Sequence, residues 1–192
     1  GLAVVSVDVT VEIGEGPETT IGALGFSGNG AFTASALATL VDTQIGVPYF
    51  APHVAADRER LRAYYLNEGY ETVQVDVVER FEDNGTIVNV MLQLTEGVQV
   101  VVDHVLVVGT NQVSPSTVRS EMTLRPGDPL GLDEVAETRR RLTALGLFRR
   151  IDIRELSHGG GNRRDVVIDV EEAPATRVGY GGGLEVNQRL RA

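Results

Sequence analysis

VNVMLQLTEGV, Val88 to Val98, is the stretch from which the rest of the chain is read. Val88, Val90, Leu92 and Leu94 are apolar and two apart, and Glu96-Gly97 comes at once after them. A period of two puts these side chains on one face of a β-strand and leaves the other face polar. The acidic residue and the glycine then stop the strand. The pattern occurs twice more. VDVTVEIGEGP (Val7 to Pro17) alternates Val7, Val9, Val11 and Ile13 before Glu15-Gly16-Pro17, and DVVIDVEEAPA (Asp165 to Ala175) alternates Val166, Ile168 and Val170 before Glu172-Ala173-Pro174. A strand and stop that recur at a long, near-constant interval are the mark of tandem modules.

The segments between the stops repeat as well. IGALGFSGN (Ile21 to Asn29) and HVLVVGTN (His104 to Asn111) each read as a short strand ending in a polar turn. A helical stretch comes next. Leu37, Leu40 and Val41 recur at helical spacing behind Thr33, a good N-cap, and Ser114-Pro115 opens a stretch containing Val118 and Met122. Both copies then break at Gly-x-Pro: Gly46-Val47-Pro48 and Gly127-Asp128-Pro129. A second helix is predicted from Val54, Leu61 and Tyr65 on one face, and in the later copy from Val135, Arg139, Leu142 and Leu145, with Asp133 near its start. Gly69 and Gly146 end these helices, Tyr70 and Phe148 come soon after, and strand alternation resumes with Val73, Val75, Val77 and with Ile151, Ile153. Glu82-Asp83-Asn84-Gly85-Thr86 predicts a tight hairpin, because Asn-Gly accepts the positive φ such turns require.

The repeated unit is therefore strand, helix, helix, strand, hairpin, strand, about 77 to 80 residues long. Helices over one face of a small sheet make an α+β fold. Residues 1–16 read as the end strand of a preceding, truncated unit, 17–96 and 97–173 as complete units, and 174–192 as the start of a different segment. The chain opens directly in strand-like sequence, with no basic-then-apolar leader, so it is expected to be a piece of a longer protein.

Composition narrows the function classes. Of 192 residues, 42% are hydrophobic and 23% charged, as in a soluble globular protein, and no apolar run approaches the roughly 18 residues of a spanning helix. There is no cysteine, so neither disulfides nor thiolate chemistry is available. A net charge of −10 argues against nucleic acid, which needs a basic face. Every basic residue is arginine. Residues 17–96 hold 4 arginines against 11 acidic side chains, and 97–173 hold 10 against 12, so charge rises toward the C-terminus.

At this point the residues resemble the POTRA (polypeptide-transport-associated) domains of outer-membrane β-barrel insertases and transporters of the BamA/TamA type. The element order carries the likeness, together with the turns Phe26-Ser27-Gly28-Asn29 and Val108-Gly109-Thr110-Asn111, the Gly-x-Pro breaks, and the segments Leu66 to Tyr70 and Leu142 to Phe148. The resemblance implies a three-stranded mixed sheet with two helices on one face. ATRVGYGGGLEVNQRLRA after Pro174 alternates Val178, Tyr180, Gly182, Leu184 and Val186, and coming after a POTRA end strand it is similar to the first strand of an outer-membrane barrel.

Sharper chemistry fares poorly. SHGGGNRRD (Ser157 to Asp165) contains the His-Gly-Gly-Gly of esterase oxyanion holes, but Gly25-Phe26-Ser27-Gly28 does not space a nucleophile elbow, and a hairpin suits the segment. GYGGGLE (Gly179 to Glu185) lacks the helix that a dinucleotide loop must open. His53, His104 and His158 show no ligand spacing, so no metal site, catalytic residue or cofactor is expected.

Function must then come from surface and shape. A three-stranded sheet has two edge strands, and an extended peptide can add to either through main-chain hydrogen bonds that ignore sequence. The POTRA likeness implies that the second strand of each unit is at the edge, with Val73, Val75, Val77 and Ile151, Ile153 marking the client-binding strands. It implies a periplasmic arm that receives unfolded outer-membrane protein precursors and delivers them to its own C-terminal barrel, with accessory lipoproteins as further partners. Arg139, Arg140, Arg141, Arg149 and Arg150 form a basic cluster expected to face the barrel or the outer-membrane lipid surface. Alternatives are a secretion arm serving one dedicated partner, a scaffold for lipoproteins, and an esterase using Ser27 and His158.

Overall fold

The computed structural model describes residues 9–12, 17–157 and 161–174. Two units of the same build succeed one another. The first comprises β1 (Thr20–Ser27), α1 (Ala34–Ala38), α2 (Ala51–Asn67), β2 (Gln74–Glu82) and β3 (Ile87–Thr95). The second comprises β4 (Val101–Val108), α3 (Pro115–Glu121), α4 (Leu132–Ala144), β5 (Phe148–Ser157) and β6 (Arg163–Glu172). This is the expected α+β architecture.

Each sheet has three strands, in the orders β1-β3-β2 and β4-β6-β5. The helical crossover makes β1 parallel to β3 and β4 parallel to β6, while the hairpins make β2 and β5 antiparallel to the same central strands. The central strand is the one whose sequence alternates most strictly. Val88, Val90, Leu92 and Leu94 are buried under α1 and α2, and Val166, Ile168 and Val170 under α3 and α4. These residues lie in separate hydrophobic clusters, one set in each unit, so the chain holds two small cores and not one continuous core. The β2–β3 connection carries positive φ at Asp83, Asn84 and Gly85 (48°, 55° and 89°), which is why Asn-Gly stands there.

Two helices differ from the sequence reading. α1 stops at Ala38, so Leu40 and Val41 lie beyond it. The amides of Asp42 and Thr43 donate to the Asp57 carboxylate (2.9 and 2.8 Å) and are not available to a continuing helix. On α4 the buried face is Thr138 and Leu142, with Val135 and Leu145 half-buried, and Arg139 points to solvent. The Thr138 hydroxyl holds the loop after α3, bonding Thr123 N (3.2 Å) and Thr123 Oγ1 (2.9 Å), the job Asp57 does in the first unit.

The expected end strand over 1–16 and the expected barrel strand over 174–192 lie almost entirely outside the described residues. Val9 to Glu12 are exposed and have no strand assignment.

Candidate functional site: the open sheet edges

A sheet edge presents unpaired N–H and C=O groups unless something covers them. On one side of each sheet, something does. The first Gly-x-Pro loop runs along β1: Ile21 N donates to Val47 O (2.9 Å), Gly46 N to Ile21 O (2.7 Å) and Tyr49 N to Thr19 O (2.7 Å), with Pro48 bridging Thr20. The second loop repeats this on β4, where Val102 N donates to Asp128 O (2.9 Å), Gly127 N to Val102 O (2.8 Å) and Leu130 N to Val100 O (2.9 Å). The motif that reads as a helix break is thus a clamp that blunts the parallel edge. Among the described residues no strand pairs with the outer side of β2 or β5.

The marker residues sit on these open edges with their side chains turned inward. Val73 precedes β2, and Val73 and Val75 are buried at 4% and 7% exposure. Val77 is half-buried against the first core, and Ile151 and Ile153 against the second. The alternation that made them legible is the alternation that commits them to the helix layer. What the edge offers an incoming strand is therefore its backbone, flanked by exposed side chains such as Asp76, Glu79 and Arg80. Beside β2 lies a cleft of about 550 Å³ lined by Arg58, Glu59 and Arg62 of α2 and by Glu71 to Asp76.

The strand stop proves to be more than a stop. Glu96, just past β3, accepts the Ala31 amide (3.0 Å) and the Tyr65 hydroxyl (2.7 Å). Glu172, ending β6, accepts the amides of Asn111 (2.7 Å), Gln112 (2.9 Å) and Val113 (2.8 Å). Each carboxylate ties the turn after the first strand to the end of the central strand. The amides of Asn111 and Val113, then Gln112, outweigh desolvation and hold the Glu172 carboxyl below its ordinary range. Burial, and after it the Glu96 partner, pushes the Tyr65 phenol well above its ordinary value. Tyr49, which donates to Glu79 on β2 (2.7 Å), is pushed up to about 12 by burial and then by that bond.

The arginine cluster is partly neutralised. Arg140 and Arg141 both pair with Glu137, and Arg149 pairs with Glu171 across β5 and β6. Arg139 and Arg150 have no ion pair among the described residues. Arg139 and Arg140 line an open depression on α4 with Leu132, Val135 and Ala136. Ser27 ends β1, His53 lies in the first turn of α2, and His158 lies outside the described residues.

Sequence reading missed the residues that join the units. Asn67 ends α2 and caps α4 of the next unit: its Oδ1 accepts Asp133 N (3.2 Å) and its Nδ2 donates to Asp133 Oδ2 (2.5 Å). Val100 N donates to Gly69 O (2.8 Å), and Gln99 Nε2 donates to Glu68 O (2.9 Å). No local pattern marks such contacts, because each partner belongs to a different repeat.

Each unit is thus a β-α-α-β-β module with one edge clamped at its start and the other open among the described residues. The POTRA family model, described as surface antigen variable number repeat, matches residues 19–97 and 100–173, and the chain belongs to that family. It is 24% identical over 168 residues to the outer membrane protein assembly factor BamA of Nitratidesulfovibrio vulgaris, a match covering 85% of this chain. The chain spans 21% of the length of the curated relatives it matches. Its fold is similar to Haemophilus influenzae BamA POTRA3-5, at TM-score 0.56 and 22% identity over 81% of this chain and 61% of that one. It is also similar to BamA of Haemophilus ducreyi lacking POTRA domains 1-3, at TM-score 0.63 and 17% identity over 82% of this chain and 29% of that one. No helix among the described residues is long and apolar enough to cross a membrane.

Proposed function

We propose that the chain is the periplasmic arm of an outer-membrane β-barrel protein, and that it receives unfolded precursors of other outer-membrane proteins by strand addition at β2 and β5. The observation that carries this reading is the asymmetry of the edges. The Gly-x-Pro loops bond the opening residues of β1 and β4 in both units, while among the described residues nothing pairs with the outward amides and carbonyls of β2 and β5. Main-chain pairing needs strand propensity in the client and no motif, which suits a receptor for many precursors. The BamA relative supports the assembly role, and the expected tail strand supports an attached barrel.

Proline scanning of the β2 edge tests the mechanism. Glu79 and Arg80 are exposed neighbours on β2, so replacing either leaves the core side chains in place. Adjacent residues of an antiparallel edge strand aim their amides alternately inward and outward. One of Glu79→Pro and Arg80→Pro therefore breaks a bond to β3 and the other removes an outward donor, with Glu79→Ala as the control for the lost Tyr49 bond. The variant that keeps its far-ultraviolet spectrum should lose photo-crosslinking to a barrel-strand peptide. Undiminished crosslinking in that variant overturns strand addition at β2. Capture of a single peptide from a varied set would favour a dedicated secretion arm.

A further inference from the structure

The bulge in β4 gathers three metal-ligating side chains that the sequence holds apart. Val102 pairs with Arg164 and Val105 with Val166, so Asp103 and His104 together face the single residue Asp165 on β6. Two residues opposite one make a β-bulge, which turns side chains that would alternate onto the same side of the strand. The His104 Nδ1 lies 3.0 Å from Asp165 Oδ1 and 3.5 Å from Asp103 Oδ2. One ligand atom from each of the three residues falls within 4.8 Å of the others.

We propose that Asp103, His104 and Asp165 bind a divalent first-row cation of the Zn²⁺ type. One imidazole nitrogen with two carboxylate oxygens is a donor set that zinc accepts at about 2.0–2.2 Å, which places neighbouring ligands roughly 3.3 Å apart around a tetrahedral ion. The two histidine–carboxylate distances bracket that spacing, and a small rotation of Asp103 brings the third edge into range. The cluster is shaped as a cup. The Asp165 side chain is 12% exposed and forms the floor, Asp103 is 30% exposed, and His104 at 68% forms the rim. Water completes the coordination on the open side.

The first unit shows that the bulge itself does not require these residues. Its β1 shifts register at the equivalent place, between Ile21 and Ala23, and carries Gly22 and Ala23 opposite Asn89. A Cβ built on Gly22 would lie 2.8 Å from Asn89 Oδ1, so the bulge geometry aims this position at the neighbouring strand in both units. Only the second unit places carboxylates and an imidazole there. Arg163 opposes the cation, because it donates to Asp103 Oδ1 (2.7 Å) and shares that carboxylate.

Zinc titration of the metal-free 192-residue chain, monitored by calorimetry, tests the site. One equivalent should bind. His104→Ala and Asp165→Asn should each weaken binding roughly tenfold or more, and Arg163→Ala should strengthen it. His53→Ala, on α2 of the first unit, should leave it unchanged. His104 is exposed, so its variant keeps the fold even if Asp165→Asn does not. The ¹⁵N spectrum of His104 on zinc addition should show Nδ1 coordinated and Nε2 carrying the proton, rather than the reverse. Absence of binding up to millimolar zinc, binding that survives His104→Ala, or binding lost with His53→Ala would each overturn the proposal.

Discussion

Gly131→Ala should loosen the joint between the units without unfolding either. Gly131 is the N-cap of α4 with φ −87° and ψ 149°, a conformation alanine adopts freely, so backbone strain plays no part. The consequence lies in the contact. A methyl carbon built on Gly131 falls 3.1 Å from the carbonyl carbon of Asn67 and nearer still to its oxygen. That oxygen is backbone at the end of α2 and cannot rotate away. Restoring an ordinary carbon–oxygen separation of roughly 3.3 Å means parting α2 and α4 by about 1 Å. The Asn67 Oδ1 to Asp133 N bond already stands at 3.2 Å, and its companion from Nδ2 shares the same side chain, so both are lost. At about 0.5–1.5 kcal/mol each, the joint gives up about 1–3 kcal/mol. The chain has no cysteine, so a label pair introduced at exposed Arg62 on α2 and Arg139 on α4 reports the separation directly. The distance distribution should broaden and lengthen in Gly131→Ala while the circular dichroism and melting of the units stay close to wild type. Asn67→Ala, which removes the bonds without the wedge, should broaden it less. An unchanged distribution in Gly131→Ala would refute the claim that close backbone approach fixes the joint.

The same contacts set three further outcomes. Asp57→Ala leaves the amides of Asp42 and Thr43 without their acceptor under α2 and should cost the first unit about 2–4 kcal/mol in urea unfolding, with the second unit unaffected. Gly146→Ala and Gly69→Ala both force alanine into positive φ (65° and 81°), costing about 1–2 kcal/mol locally. Only Gly69→Ala also meets Val100 O, at 2.5 Å, so label-pair broadening should appear in that variant alone. Glu155 on β5 is held above the ordinary carboxylate range by partial burial, then by the charge and hydrogen bond of Glu71, against the pull of Arg164. A raised folded value means the contribution is full below the unfolded pKa and is lost as pH rises through the folded one. The Glu71–Glu155 contact between units should therefore be tightest in mild acid. Glu155→Gln should flatten the pH dependence of unfolding in that window, and an unaltered profile would remove Glu71–Glu155 from the joint.

Much of this architecture is legible in sequence because its signals are local. A strand buried on one face writes a period of two, and Val88 to Leu94 and Val166 to Val170 do so without a break. Helix caps and turns are similarly local: Thr33 and Ser114 cap as expected, and Asn84-Gly85 supplies the positive φ of the hairpin. The readings that moved are those settled by distant partners. α1 ends early because an acceptor on α2, Asp57, takes the amides of Asp42 and Thr43. Arg139 fits the helical period of α4, yet it faces solvent because Thr138 takes the buried position through its bond to Thr123. The His104 cluster escaped because a bulge suspends the alternation on which spacing arguments rest. The edge markers show the opposite effect. Their period of two placed Val75 and Ile153 on the edge strands β2 and β5, and the same period turns their side chains toward the helices, so their backbone alone faces outward.

The repetition of the acidic stop and of Gly-x-Pro has one physical consequence when the two are taken together. A three-stranded sheet closed by a hairpin on one side and a helical crossover on the other has two chemically similar edges, and strand addition at either would be equally favourable. The crossover loop removes that symmetry. It lies along β1 and β4 because Gly46 and Gly127 turn the chain back at positive φ (85° and 92°), and the prolines two residues later carry no amide to leave unpaired. Glu96 and Glu172 then fix the far end of the same strands by holding the turns after β1 and β4 against the central strand. The opening residues of β1 and β4 are thus bonded by a loop, while among the described residues no strand or loop pairs with the outer side of β2 or β5.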